Sequence, residues 1–240
     1  MINDIRNTVL AVLNKNNYGY ISPQDFNLYA QQAQMDLFED YFYAYNYQVN
    51  KENQRTSGTG YADIKKGYAE VIDFFSVTFN LSQVGANLDK FFLPSISTTG
   101  SDYYLINKIF IGSTELERIE QSKILLLNSS PLTAPSTMFP AYTTEASTAT
   151  IYPEPLVTTN VACQYIRYPK PPKWTYVDLG SGSEPVFDQT QPDYQDFELF
   201  PDDATDLTMK ILKYAGVSIR EASVVQYAGA EQATENNSEK

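Results

Sequence analysis

SPQDFNLYAQQAQMDLFEDYFYAYNYQVNKEN, residues 22–53, contains neither glycine nor an internal proline after its second position. It opens with a helix start signal: Ser22 as N-cap, Pro23 at the first helical position and Asp25 three residues after the cap. The next breaker is Gly58. The stretch predicts one helix from Pro23 to about Asn53, roughly 45 Å long at about 1.5 Å per residue, a spine more than an ordinary core helix. Its first half is one-sided, with Phe26, Tyr29, Ala30, Ala33 and Leu37 at helical spacing. In its second half Leu37, Phe38, Tyr41, Phe42, Tyr43, Ala44, Tyr45 and Tyr47 cover nearly the whole circumference. A helix apolar all round is buried all round, either in its own core or against another subunit. The alternation of Tyr41, Tyr43, Tyr45 and Tyr47 also fits a strand, but nothing between Ser22 and Gly58 interrupts a helix.

Before the spine, residues 2–14 read as an amphipathic helix with Ile5, Val9, Val12 and Leu13 on one face, broken by Asn16, Asn17 and Gly19. After it comes a turn, Thr56-Ser57-Gly58-Thr59-Gly60, then a shorter helix from Ala62 to Phe75. The pattern then changes. Ser76 to Leu81, Lys90 to Leu93, Tyr103 to Ile111, Met138 to Thr143, Thr148 to Tyr152 and Val161 to Tyr168 are short aromatic and β-branched runs between Gly, Pro, Ser and Asn. Glu115 to Leu127 reads as a strand followed by a short helix. Residues 169–200 are loop-like and rich in proline and glycine; a long ordered loop in a compact protein usually reaches something. Pro201, Asp202 and Asp203 open a helix through Leu207, Ile211, Leu212 and Tyr214 that stops at Gly216, and another runs from about Ile219 to Ala228. Residues 231–240 are expected to be a disordered acidic tail.

The fold class this predicts is α+β. N-terminal helices including one long helix precede a central antiparallel β region, and C-terminal helices pack back on the N-terminal ones. One domain is expected over 1–230, helical in 1–75, β-rich in 76–168, looped in 169–200 and helical in 201–230.

Composition removes several kinds of chemistry. The chain has 240 residues, no histidine and one cysteine, Cys163, so internal disulfides are excluded and a Cys/His zinc site is not expected. The commonest general base for activating a serine or cysteine nucleophile is missing. Nineteen tyrosines stand against one tryptophan. Tyrosine pairs an apolar face with a polar tip, which suits surfaces wet before assembly and buried after it. The net charge of -12 argues against a grip on nucleic acid, and fits either simple solubility or a wall past which DNA slides. No run approaches the roughly 20 apolar residues of a membrane span, and the opening Met1-Ile2-Asn3-Asp4 lacks the basic and apolar regions of a signal peptide. A protein made in a cytoplasm, or carried within a larger particle, is expected.

Searching for sites yields little. Gly180-Ser181-Gly182-Ser183 lacks the lysine of a phosphate loop and reads as linker. Asp188, Asp193 and Asp196 offer carboxylates for calcium without the spacing or glycine of an EF-hand. The pairs Glu115 with Glu117 and Asp202 with Asp203 suit a glycosidase, but 29 acidic residues create such pairs by chance. Cys163 alternates with Val161 and Tyr165, the place for a buried thiol. No catalytic, cofactor-binding or metal residue is predicted. The residues expected at a subunit interface are Phe38, Tyr41, Phe42, Tyr45 and Trp174.

Several blocks carry a resemblance. They are Ile2-Asn3-Asp4-Ile5-Arg6-Asn7, Tyr20-Ile21-Ser22-Pro23-Gln24-Asp25-Phe26-Asn27, and Lys51-Glu52-Asn53-Gln54-Arg55 with Gly58-Thr59-Gly60-Tyr61-Ala62-Asp63. Further on come Gln164-Tyr165-Ile166-Arg167-Tyr168-Pro169 leading to Pro172-Lys173-Trp174, then Phe197-Glu198-Leu199 before Met209-Lys210-Ile211-Leu212-Lys213-Tyr214-Ala215-Gly216. In these the chain resembles the virion structural ring proteins of crAss-like tailed bacteriophages, subunits of the neck and tail below the portal. Ile151-Tyr152-Pro153-Glu154-Pro155 followed by Val161 to Pro169 is similar, more weakly, to the β region of head-to-tail adaptor subunits, which form rings that are commonly dodecameric. The resemblance implies a structural role without a cofactor. Its implied partners are copies of the chain, the portal protein and neighbouring ring or tail proteins, with DNA passing through unread. A peripheral collar or fibre-anchoring protein and a carbohydrate-cleaving tail enzyme are the rival expectations.

Overall fold

The structure is a computed structural model that describes residues 1–13, 20–53, 62–85, 87–153, 160–178, 180 and 185–219. Within the span read from sequence as one domain, the chain forms two compact units: Met1–Lys65 with Pro169–Lys240, and Lys66–Tyr168. The second is thus inserted in the sequence of the first.

In the first unit, helix α1 (Ile2–Leu13) buries Ile2, Ile5, Val9 and Leu13. Val12, expected on that face, is 40% exposed. Helix α2 (Pro23–Asn53) starts and ends where the sequence predicts. Its first turn is fixed by Ser22, whose Oγ accepts the Asp25 N–H at 3.1 Å and donates to the Asp25 carboxylate at 2.7 Å. Phe26, Ala30, Ala33 and Leu37 form its buried stripe.

The third helix of this unit lies at the other end of the sequence. A 3-10 turn, Pro201–Asp203, leads into it, and the Asp203 carboxylate caps the turn by accepting the Phe200 N–H at 2.9 Å. The helix that follows, Ala204–Ile219, packs on α1 and α2 through Leu207, Ile211, Leu212 and Ala215. It does not stop at Gly216. Gly216 is buried beside Ala215, and packing offsets the roughly 1 kcal/mol that glycine costs inside a helix. Two polar ties fasten it to α2 one turn apart: Lys210 Nζ to Asp40 at 2.8 Å, and the Tyr214 hydroxyl to Asp36. Burial, with the Asp36 carboxylate beside it, pushes the Tyr214 phenol up to about 12. The second C-terminal helix, about 219–228, and the tail 231–240 lie outside the described residues, as does the turn at 56–60.

The second unit begins within helix α3 (Ala62–Phe74) and holds two sheets. Strands β1 (Ser76–Asn80), β2 (Gln83–Val84) and β3 (Asn87–Phe92) precede a one-turn helix α4 (Ile96–Thr99). Then come β4 (Tyr103–Ile111), β5 (Thr114–Glu115), β6 (Glu117–Arg118), helix α5 (Gln121–Asn128), β7 (Ala141–Glu145), β8 (Thr148–Tyr152) and β9 (Val161–Arg167). One sheet has the order β1-β9-β4-β5 and the other β2-β3-β8-β7-β6. All pairs are antiparallel except β6 with β7, which is parallel, so the expected purely antiparallel region is mixed at one edge.

Phe91, Ile151 and Tyr142 from one sheet meet Ile109, Val161 and Tyr165 from the other in a single core. Strand β9 lies between β1 and β4, and five of its seven residues are buried. Cys163 is among them. Desolvation pushes its thiol up to about 12, so it stays protonated at physiological pH and lacks the thiolate that reacts.

Candidate interaction surfaces

The described part of segment 169–200 is arranged around the single tryptophan. A short hairpin, β10 (Tyr176–Val177) paired with β11 (Val186–Phe187), and a bridge between Lys173 and Gln195 shape it. Trp174 is 1% exposed. Its ring stacks with Tyr176 at 5.6 Å and Phe187 at 5.8 Å, and the Arg6 guanidinium lies 3.8 Å from the ring centroid. Its indole N–H donates to Asn3 Oδ1 at 3.1 Å. Asn27 of α2 then acts as a strand edge would: its Oδ1 accepts the Trp174 N–H at 2.8 Å and its Nδ2 donates to the Trp174 carbonyl at 3.2 Å.

Two helical turns further along α2, Gln34 repeats the clasp. It donates to the Lys170 carbonyl at 2.8 Å and accepts the Glu198 N–H at 3.0 Å, while itself 1% exposed. Sequence reading missed Arg6, Asn27 and Gln34. The signal was there for Gln34, a polar residue beside the apolar stripe of Phe26, Ala30, Ala33 and Leu37. Replacing Gln34 with alanine is expected to cost about 1–3 kcal/mol by leaving two part-buried backbone groups unpaired. Urea unfolding followed by circular dichroism measures this, and an unchanged midpoint would show that water replaces both bonds.

The three aspartates of this segment go to three different tasks. Asp188 takes the N–H and hydroxyl of Thr190 and the amide of Gln191, and the Thr190 hydroxyl bond chiefly lowers its pKa. Asp193 pairs with Lys173, which lowers its pKa. Asp196 accepts the N–H of Ile2 at 2.8 Å, capping α1, and the N–H of Phe197. Among the described residues no group of three or more acidic or thiol side chains is placed to hold a metal ion. Glu115 and Glu117 are exposed on β5 and β6, and Lys108 lies 3.8 Å from Glu115. Burial holds the Asp203 carboxyl above the usual range. Of the glycine-serine stretch at 180–183 only Gly180 is described, with its N–H on Asp178.

Of the residues predicted at an interface, Trp174 is therefore occupied inside its own chain. Phe38 is too, fully buried and edge-on to Phe42 at 5.0 Å. Tyr41, Phe42 and Tyr45 are half-buried. Tyr43 is 76% exposed and Tyr47 is 44% exposed, so the aromatic half of α2 shows one face to solvent and is not buried all round.

A second apolar surface lies in the other unit, where sequence reading placed no site. Between Arg118 and Ala141 the chain leaves the edge of the five-stranded sheet and returns to it. Leu125, Leu126, Leu132, Met138 and Phe139 on this excursion are 73–94% exposed. No protein-family model and no curated protein matches this chain. Among the described residues no helix is long and apolar enough to cross a membrane.

Proposed function

We propose that this chain is a structural subunit of a tailed-phage virion, forming an oligomeric ring of the head-to-tail connector or tail barrel through which DNA passes. The observation that carries the reading is the amount of large apolar side chain left uncovered by the chain itself, on α2 and on the excursion between β6 and β7. Monomeric proteins rarely expose contiguous apolar patches above a few hundred Å², and larger ones mark interaction sites. The resemblance to ring proteins of crAss-like phages supports the same role, and the net charge of -12 suits a lumen that DNA traverses without sticking. The partners are copies of the chain, commonly twelve in such rings, with the portal and neighbouring tail proteins above and below. The chemistry is non-covalent assembly, with no cofactor.

Electron microscopy of particles carrying the protein is expected to show it as a closed ring on the neck or tail axis. Isolated peripheral copies, or absence from the particle, would overturn the reading. In dilute solution the lone chain is expected to be a monomer or small oligomer, because a portal template supplies the effective concentration that single contacts lack. A stable ring of the lone chain in native mass spectrometry would contradict that templating.

A further inference from the structure

We infer that the excursion between β6 and β7 is a docking arm that seats on the aromatic half of α2 of a second copy of this chain. The inference rests on the reading of the chain as a self-assembling subunit and adds the two surfaces that meet.

The arm is a built feature. The parallel pairing of Glu117 with Ala141 and Arg118 with Tyr142 pinches its base. Inside it the Thr133 hydroxyl donates to the Leu127 carbonyl at 3.1 Å, the Ala134 N–H to the Ser130 carbonyl at 2.9 Å, and Ser136 and Phe139 exchange backbone bonds at 3.1 Å. A crossover helix between parallel strands normally lays its apolar face on the sheet. Helix α5 buries only Ile124 and turns Leu125 and Leu126 outward. The local hydrogen bonds hold these leucines with Leu132, Met138 and Phe139 in an ordered projection.

Charge selects the occupant. Two copies of a chain at -12 repel wherever their acidic surfaces meet. From Ile124 to Thr144 there is no charged residue, and from Tyr41 to Asn50 there is none either. The arm and residues 41–50 of α2 are thus two segments that bring no charge of their own to a contact between copies. Area agrees. Five large side chains, mostly exposed, present on the order of 600–700 Å², close to the roughly 800 Å² each partner contributes to a standard interface. The two surfaces differ, so the contact is head-to-tail, and repetition closes a ring or grows a filament.

The test uses the full chain and two double variants: Leu126→Glu with Phe139→Glu in the arm, and Tyr43→Glu with Tyr47→Glu on α2. All four positions are exposed, so melting temperatures are expected to stay within about 2 °C of wild type. If the arm pair fails to fold, Leu132→Glu replaces it. By sedimentation velocity up to about 0.5 mM, which populates contacts of sub-millimolar Kd, wild type is expected to grow in mass with concentration. Each variant alone stays monomeric, with at least a tenfold loss of affinity. An equimolar mixture of the two forms a dimer and stops there, because it has one intact arm and one intact helix face. An arm variant that associates like wild type, a mixture that stays monomeric while wild type associates, or a wild type that never associates each overturns the assignment. So does an arm that captures the portal or another virion protein but never a second copy. In every one of these cases the ring reading is judged separately, by the particle micrographs.

Discussion

Replacing Trp174 by alanine is expected to destabilise the first unit by about 3–5 kcal/mol, the range for deleting a buried aromatic. The ring supplies the stacking surface for Tyr176 and Phe187 and the face for Arg6, and its removal leaves the buried Arg6 guanidinium without that partner. A desolvated cation–π contact alone is worth about 2 kcal/mol. Trp174→Phe keeps an aromatic plane but loses the N–H bond to Asn3, so it should fall between alanine and wild type. Thermal and urea unfolding measure the series. Because Trp174 is the single tryptophan, its emission in wild type should also be that of a buried indole, poorly quenched by acrylamide. A loss below about 1 kcal/mol, with ready quenching, would return Trp174 to the surface and reopen it as an interface residue.

Phe38→Ala should have an effect of similar size, again about 3–5 kcal/mol, and in the same assay. Phe38 is fully buried and packs edge-on to Phe42. Tyr45→Ala, two turns along and half-buried, should leave the chain folded and instead weaken assembly, by about 2 kcal/mol or more if it is an anchor of the contact. The two substitutions lie on one helix and differ mainly in burial. Loss of folding for both would place Tyr45 in the core with Phe38, and unchanged assembly of Tyr45→Ala would take that residue out of the contact.

Long-range α2 was legible from its ends. Its N-terminus is a purely local event, Ser22 meeting Asp25 across one turn, and local hydrogen bonds are written in adjacent residues. Strands Tyr103–Ile111 and Thr148–Tyr152 were legible for the same reason, as β-branched runs between turn residues. Where a distant part of the chain decides, the sequence misleads. Gly216 reads as a stop, and only packing of its helix on α1 and α2 carries the helix through it. Segment 169–200 reads as a loop because its order comes from Asn27, Gln34, Asn3 and Arg6, all well over a hundred residues away. The parallel pairing of β6 with β7 was hidden likewise, since two-residue strands carry no periodicity. Trp174 and Phe38 read as interface candidates because sequence shows how apolar a position is but not which surface covers it; in the structure their own chain covers both. The arm was missed for the converse reason: a run such as Ile124–Leu127 looks like core until its helix is seen to bury one leucine-sized residue and show two.

On a ribosome the order of emergence matters. Residues 66–168 are complete, with both sheets, before Trp174 has been joined to the chain. At about 5–20 residues per second, α2 then waits several seconds more for its clasp and for the helix Ala204–Ile219 that covers it. During that interval its apolar stripe of Phe26, Ala30, Ala33 and Leu37 is bare to the crowded surroundings of the polysome, where neighbouring nascent chains carry the same stripe. The inserted unit therefore acts as a timer: it delays closure of the first unit until residues 169–219 have been made, and sets the window in which chaperones must shield the spine.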